Sequence, residues 1–315
     1  MSRRAWWAFA VMSVTWGASY LLIKIGIEGG VPAADVAWLR VAIAAIILVV
    51  LAWRAGTLQT LSGRWRWVAA YAVAEISIPF PLIALGEVHI ASSLAAILIA
   101  SVPLIVTVLS LRFDPSERPT PMRALGLAIG FVGVIALVGI DVAGSSAEVL
   151  GALAVLVGAV GYAIGPMLVK LGMDGIDGRA AMGGSLVIAT LILAPFAAVD
   201  LPRRMPTAGA LAAVAALGVF CTAMAFVVYT VLVREAGTGR ATIITYVNPL
   251  VAVVLGVTLL GERPGPGALV GLALILAGSW LSTGGGLPPR GRPWPRRPRG
   301  ADGEVEPDLH AAQSG

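Results

Sequence analysis

Long stretches without a charged residue constrain this chain more than any other feature. Lys, Arg, Asp and Glu are absent from 5–23, 149–169, 180–199 and 241–261. Each stretch holds about 20 residues, the length at which an apolar helix crosses the hydrocarbon core of a bilayer. Charged residues make up 12% of the chain, about half the share of an ordinary soluble domain. These features exclude a soluble globule and predict an all-α integral membrane protein.

Charged residues and Pro/Gly clusters divide the chain into ten predicted transmembrane helices joined by short loops. Their approximate ranges are 5–26, 34–53, 66–86, 90–111, 121–140, 149–171, 180–199, 209–233, 240–260 and 266–283. After residue 283 the sequence becomes rich in Pro, Gly and Arg and then acidic, a composition that cannot bury a core. We therefore expect a disordered tail at 284–315.

The distribution of positive charge predicts the orientation. With the N-terminus in the cytoplasm, 17 of the 22 Lys and Arg residues fall on the cytoplasmic side and 3 on the outer side. Because cytoplasmic loops are enriched in positive charge, this split places both termini and the tail in the cytoplasm. Arg3 and Arg4 before an apolar run also resemble an export signal. No small-residue cleavage site follows them, so a retained first helix is favoured.

The composition also bears on cofactors and on nucleic acid. The single Cys221 excludes a disulfide scaffold, and with only two histidines in the chain we expect neither a metal site nor a cofactor. Gly126, Gly130 and Gly133 lack the strand and the Gly-Lys-Ser/Thr of a phosphate loop, so they indicate close helix packing rather than ATP binding. No long basic run with stacking aromatics exists outside the tail, so no nucleic-acid partner is expected.

The sequence repeats itself at an offset of 146 residues. This offset superposes Lys24 on Lys170, the two lysines of the chain, within similar surrounding segments. Each copy contains five predicted helices, and an odd number means that the second copy enters the membrane from the opposite side. The sequence thus predicts two inverted five-helix repeats, at 5–141 and 149–283. Secondary transporters use this architecture for alternating access.

Several motifs of the chain also resemble those of a known family. They are Trp16-Gly17-Ala18-Ser19-Tyr20 with Lys24, Leu39-Arg40, Ala84-Leu85, the segment 91–98, Pro103, and Leu260-Gly261-Glu262-Arg263-Pro264. In order and spacing these motifs resemble the EamA-type exporters of the drug/metabolite transporter superfamily, over about residues 5–283. The resemblance implies ten helices, a bacterial cytoplasmic membrane, and export of metabolites, amino acids or foreign compounds.

Glu75 is the clearest candidate for a transport site. A central Asp, Lys or Arg costs about 2.5–3.5 kcal/mol to insert into a membrane, so ionisable groups at this depth are functional candidates. Tyr71 and Pro79 are predicted one turn before and after Glu75 on the same face. Two interpretations carry equal weight. Glu75 takes up a proton or binds a cationic group in a cavity, or it stays neutral and joins its helix to a neighbour.

An aromatic and hydroxyl-bearing face is predicted on the first helix. Trp16, Ser19 and Tyr20 recur at helical spacing, and Tyr162 occupies the corresponding place in the second copy. Aromatic rings bind apolar parts of a substrate and hydroxyls fix its orientation, so we expect these residues to line a cavity. Close packing is an equally good explanation for Ser19. The eighth and ninth helices supply the other predicted substrate-binding residues: Thr222, Tyr229, Tyr246 and Asn248.

Lys24 and Lys170 are predicted near opposite membrane surfaces. One interpretation makes them a symmetric pair of gating charges that pair with Glu28 and Asp174. The other, favoured by its low cost, is that each lysine extends from a helix end to the interface.

The preferred function is a secondary exporter of a small organic solute, driven by the solute gradient or by proton exchange at Glu75. The first alternative is a membrane-embedded enzyme that modifies lipids. Such an enzyme needs clustered acids or histidines, whereas Glu75 is expected to be the only acid deep in a span. The second alternative is a lipid or polyisoprenoid flippase, which would need a cavity open to the bilayer.

Overall fold

The computed structural model describes residues 1–113, 120–200, 202, 204–237, 241 and 243–283. The predicted tail at 284–315 lies outside these residues. Within these residues, eight helices are long and apolar enough to cross a membrane: α1 Arg3–Glu28, α2 Ala33–Arg54, α3 Trp65–His89, α4 Ser92–Arg112, α5 Pro121–Val142, α6 Ser146–Gly172, α7 Gly178–Val199 and α8 Ala208–Ala236. Two shorter apolar helices follow: α9 Ile244–Leu259 and α10 Pro266–Ser282. The described part contains helices and no strand, consistent with an integral membrane protein.

Helix beginnings follow from local chemistry. Five of the described helices start after a residue whose side chain accepts a hydrogen bond from an amide of the first turn: Ser2, Thr120, Ser145, Asp177 and Thr207. Such caps satisfy amides that have no partner within the helix. Pro121 and Pro266 open α5 and α10, where the missing N–H of proline costs nothing.

Glycines bring α5 and α10 together along their length. A Cβ on Gly133 would lie 2.9 Å from the carbonyl oxygen of Gly271, and a Cβ on Gly126 would collide with the backbone of Ser282 and Gly278. Residues near the start of α5 contact residues near the end of α10, so the two helices run antiparallel. This contact is the most extensive between any two helices of the described residues. The glycine spacing therefore serves close packing, as the sequence predicted.

Three further pairs of helices make antiparallel contacts. In the α2–α7 contact the Trp38 indole donates to the carbonyl oxygen of Thr190 at 3.1 Å. In α1–α8, Trp16 packs on Tyr229 with ring centroids 5.5 Å apart. In α3–α6, a Cβ on Gly86 would collide with α6 at Val155.

Two π-helical segments lie 147 residues apart in the middle of α3 and α8. They are Ala72–Ser77 and Val219–Met224. In the first, the amide of Ile78 reaches back five residues to the carbonyl of Val73 at 3.0 Å. Such widened turns often occur at functional sites because they reorient side chains. A third π-helical segment, Val138–Val142, ends α5.

The third helix extends further than the sequence predicted. It runs to His89 rather than to residue 86, and it ends where Ile90 adopts an extended conformation. Gly86 does not stop the helix, because its missing side chain allows close contact with α6. Glu87 therefore lies within the helix and is 0% exposed. Glu87 lies in the last turn of this span, whereas Glu75 lies near its middle, so the prediction that Glu75 is the only acid deep in a span stays a prediction.

Candidate functional site

A buried arginine joins three helices inside the bundle. Arg40 of α2 is 7% exposed. Its Nε donates to the Thr222 hydroxyl in the π-helical segment of α8 at 3.0 Å, and its Cζ lies 3.9 Å from the ring centroid of Phe80 in α3. Thr222 in turn donates to the carbonyl of Leu217 at 3.0 Å. The hydrogen bond and the cation–π contact hold one edge and one face of the guanidinium.

Glu75 lies in the π-helical segment of α3, against α6. Its Oε2 is buried and has no hydrogen-bond partner among the residues that the structure describes. The carboxylate packs so closely on Gly165 that a Cβ at this position would overlap with Oε2. A Cβ on Gly161, one turn away, would likewise collide with the carbonyl oxygen of Ala74. A buried polar atom without a partner is costly, and the role of Glu75 in binding or proton uptake stays a prediction.

Four tyrosines lie in the neighbourhood of Glu75 and Arg40. Tyr162 of α6 lies near both groups, and it packs on the same Phe80 ring that contacts Arg40. Tyr71 and Tyr229 lie near Glu75, and Tyr20 lies near Arg40. Thus α1, α2, α3, α6 and α8 each contribute a polar side chain to one region, which we call the central cluster: Tyr20, Arg40, Tyr71, Glu75, Tyr162, Thr222 and Tyr229.

An aromatic wall adjoins the central cluster. The Trp16 ring lies 6.3 Å from that of Phe226, edge to face, as well as beside Tyr229. On the other side, Phe80 and Tyr162 pack edge to face at 6.4 Å. Trp16 and Tyr162, which the sequence assigned to equivalent faces of the two halves, thus each contact aromatic partners near the cluster.

The remaining predicted substrate-binding residues have different surroundings. The Ser19 hydroxyl donates to the carbonyl of Thr15 within α1 at 3.2 Å. Asn248 lies where α9 approaches α1, and its buried Oδ1 has no partner within the described ranges. Tyr246 lies apart from the cluster, because its hydroxyl is hydrogen-bonded to the Thr283 hydroxyl at 3.2 Å just beyond α10. The binding roles of these three residues stay predictions.

The two lysines have unlike environments. Lys24 donates to the carbonyl oxygens of Glu87 at 2.7 Å and Ile90 at 3.1 Å, and its Nζ lies 3.9 Å from the carboxylate of Glu28. Lys170 is exposed on α6 and makes no ion pair within the described part of the chain. The local contacts of the two lysines are therefore not symmetric, and their gating roles stay predictions.

Two carboxylates cap helices at the end of the bundle where α1, α3, α5, α7 and α9 end, which we call the distal end. Glu262, in the α9–α10 loop, accepts from the Ser92 amide at 2.7 Å, the Ser92 hydroxyl at 2.8 Å and the Ser93 amide at 3.0 Å. Asp141, at the end of α5, accepts from the amides of Gly267 at 3.1 Å and Ala268 at 2.5 Å. The negative charges face helix N-termini, where the dipole favours them.

Two cavities open at the distal end. One, of about 470 Å³, lies beside His89, Asp141, Glu148 and Arg263. The other, of about 590 Å³, lies beside Pro32, Asp200 and Arg204. Neither includes Arg40 or Glu75, so the central cluster is separated from both.

Sequence reasoning missed three residues of this arrangement. It treated Arg40 and Glu262 only as parts of family motifs, and it placed Glu87 beyond the end of the third helix. The signal for Arg40 was available, because the cost argument that identified Glu75 applies equally to an arginine eight residues into a span.

Comparisons with known proteins agree with this architecture. A probable terminal-alkyne amino-acid exporter of Streptantibioticus cattleyicolor is 30% identical over 287 residues, which cover 88% of this chain and 93% of its own length. The uncharacterized inner membrane transporter YedA of Escherichia coli is 28% identical over 263 residues, 81% of this chain and 82% of its own. A solved crystal structure covers 89% of this chain and 97% of its own with a TM-score of 0.64 at 20% identity, which shows a shared fold.

The EamA-like transporter family matches the chain twice, at residues 4–139 and 149–284. These two matches cover most of the chain and confirm the resemblance found in its motifs. The chain therefore belongs to the EamA-like transporter family.

Proposed function

We propose that this chain is a secondary transporter that exports a small organic solute across the bacterial cytoplasmic membrane by alternating access. The observation that carries the proposal is the convergence of five helices on the central cluster. Ionisable groups within membrane-spanning helices are costly and mark substrate and ion pathways. The aromatic wall beside them suits the apolar part of an organic solute. Membership of a transporter family supports the same function.

Ten transmembrane helices in two inverted repeats, 5–141 and 149–283, account for the helix contacts. A two-fold axis in the membrane plane would exchange α2 with α7 and α5 with α10, so each pair would contact its own counterpart. The same axis would convert the α1–α8 contact into the α6–α3 contact. All four contacts are present, and the matching π-helical segments of α3 and α8 fit the same symmetry. Repeats of this kind rock against each other around a central site.

The proposed orientation places both termini and 284–315 in the cytoplasm and the distal end outside. The contacts of Glu262 with Ser92 and of Asp141 with α10 then close the outer side. Glu75 is the proposed proton site, because its buried oxygen lacks a partner and a proton would remove the cost of a buried charge. The relative from Streptantibioticus cattleyicolor is named as a probable amino-acid exporter. Amino acids are therefore the first solutes to test.

The test is a comparison of metabolites inside and outside cells that lack the protein, contain it, or contain Glu75→Gln. We expect one solute to accumulate in the deletion strain and the wild-type protein to restore its export. Glu235→Gln, at an exposed position near the end of α8, is the matched control and should also restore export. Equal metabolite levels in all strains, with no solute uptake by proteoliposomes, would contradict the proposed function.

A further inference from the structure

A buried arginine makes no ion pair with any of the described residues. Ion pairs within the described residues join Lys24 to Glu28 and Arg179 to Asp177, and none includes Arg40. Arg40 is nevertheless 7% exposed, between α2, α3 and α8. Guanidinium groups stay charged in proteins, so this positive charge is present in the interior. A buried charge that is not directly paired is unfavourable, and an anion that binds to it would reduce this cost.

The contacts of Arg40 leave its outer donors available. Only Nε donates a hydrogen bond, to Thr222, and the Phe80 ring covers one face of the guanidinium. Thr222 is itself fixed, since its hydroxyl donates to the carbonyl of Leu217. No hydrogen bond within the described residues involves Nη1 or Nη2 of Arg40. Two parallel N–H groups of a held guanidinium match the two oxygens of a carboxylate.

We propose that Arg40 is the receptor for a carboxylate group of the exported solute. The inference rests on the proposed transport function and defines part of its substrate. A carboxylate fits better than a phosphate group, because its single negative charge matches the single positive charge of Arg40 and its two oxygens match two N–H groups of the guanidinium. The rings of Phe80 and Tyr162 provide an apolar surface beside the guanidinium.

Two probes that differ only in their polar group test this assignment. They are 3-phenylpropionate, which carries a carboxylate, and phenethylamine, which carries an ammonium group. Binding of each to the purified full-length protein is measured by calorimetry, with inorganic phosphate as a competitor. We expect Arg40→Gln to weaken the binding of 3-phenylpropionate at least about tenfold, the loss of a hydrogen bond to a charged group, and not to weaken the binding of phenethylamine, whose ammonium group the arginine repels. Arg40→Lys should retain part of the affinity for 3-phenylpropionate, because lysine keeps the positive charge but cannot donate two parallel hydrogen bonds to the carboxylate.

Arg54→Gln is the matched control. Arg54 is exposed at the end of the same helix, so neither probe should be affected. Equal weakening of both probes by Arg40→Gln would show that Arg40 only holds the fold, and would overturn the proposal. It would also be overturned if 3-phenylpropionate did not bind at millimolar concentrations, or if phosphate displaced it at lower concentration than it binds. Export of a solute without a carboxylate would overturn this inference and leave the proposed transport function standing.

Discussion

The carboxylate of Glu262 accepts a hydrogen bond from the backbone amide of Ser92 at 2.7 Å, although the two residues are 170 positions apart in the sequence. The contact attaches the α9–α10 loop to the first turn of α4. Because the first amides of a helix have no partners within it, a carboxylate from elsewhere in the chain can satisfy them and interact favourably with the helix dipole. Under the proposed symmetry, this contact joins the second half of the protein to the first.

Removal of this cap should destabilise the protein. We expect Glu262→Ala to lower the free energy of unfolding by about 1–2 kcal/mol, the usual effect of losing an N-terminal cap. Thermal unfolding in detergent, followed by circular dichroism, measures the change. Arg263→Ala is the control, because Arg263 is the exposed neighbour of Glu262 in the same loop. Equal stability of the two variants would show that the contact contributes nothing.

The same contact should depend on pH. Burial raises the pKa of Glu262, but hydrogen bonds from Ser93 and Ser92 lower it by more, so the pKa lies below its ordinary value of 4.5. A carboxylate with a lowered pKa in the folded state stabilises the protein above the unfolded-state pKa and loses this effect as the pH falls through the folded-state pKa. We expect the stability difference between wild type and Glu262→Gln to be constant near neutral pH and to shrink below about pH 4.5. Unfolding curves between pH 7 and 3 measure it. A constant difference down to pH 3 would contradict the assignment.

The glycines between α5 and α10 should be intolerant of side chains. A Cβ on Gly133 would lie 2.8 Å from Leu274 Cβ and 2.9 Å from the carbonyl oxygen of Gly271, so the two helices would have to separate. We expect Gly133→Ala to destabilise the protein by about 1–3 kcal/mol, as overpacking does. Gly139→Ala, later in the same helix, meets no atom within 4 Å and should be neutral or stabilising. The unfolding temperatures of the two variants are compared in detergent. Equal stability of Gly133→Ala and Gly139→Ala would contradict the close packing of α5 and α10 at Gly133.

The helices were predictable because apolar length and Pro/Gly breaks are local properties of the chain. The glycine packing was also predictable, since the spacing of Gly126, Gly130 and Gly133 creates one small-residue face. The central cluster was only partly predictable. Glu75 was predictable from the cost of placing an ionisable group in a membrane, and Tyr162 from the helical spacing of the aromatic face. The Arg40–Thr222 contact was not, because it depends on the packing of α2 against α8, which no local pattern encodes.

The extent of α3 shows a second limit of sequence reasoning. Glycine is a poor helix former, so a span that ends at Gly86 was a reasonable expectation. Tertiary packing reversed this preference, because close contact with α6 requires the absence of a side chain. The π-helical turn at Glu75 was equally invisible, since it changes hydrogen bonding without an evident sequence signal.

Proton coupling at Glu75 makes a direct prediction. In proteoliposomes that contain the exported solute, an imposed pH gradient should accelerate transport by the wild-type protein. We expect Glu75→Gln to transport at a rate independent of the gradient, because the amide cannot take up a proton. Glu235→Gln should respond as wild type does. If Glu75→Gln keeps the full response, the proton site lies elsewhere, and transport without proton coupling remains compatible with the proposed function.

Gly165 should control the position of the Glu75 carboxylate without changing its charge. A Cβ at Gly165 would overlap with Glu75 Oε2, and the flexible carboxylate is the group that would move. We expect Gly165→Ala to fold normally and to reduce the transport rate by roughly tenfold, as if one hydrogen bond to a charged group were lost. Gly158→Ala, on the same helix, makes only an ordinary contact of 3.4 Å with Pro79 and should transport as wild type does. The decisive measurement is the double variant with Glu75→Gln. If Gly165→Ala acts through Glu75, it should cause no further loss in that background, whereas additive losses would mean that it disturbs the bundle by another route.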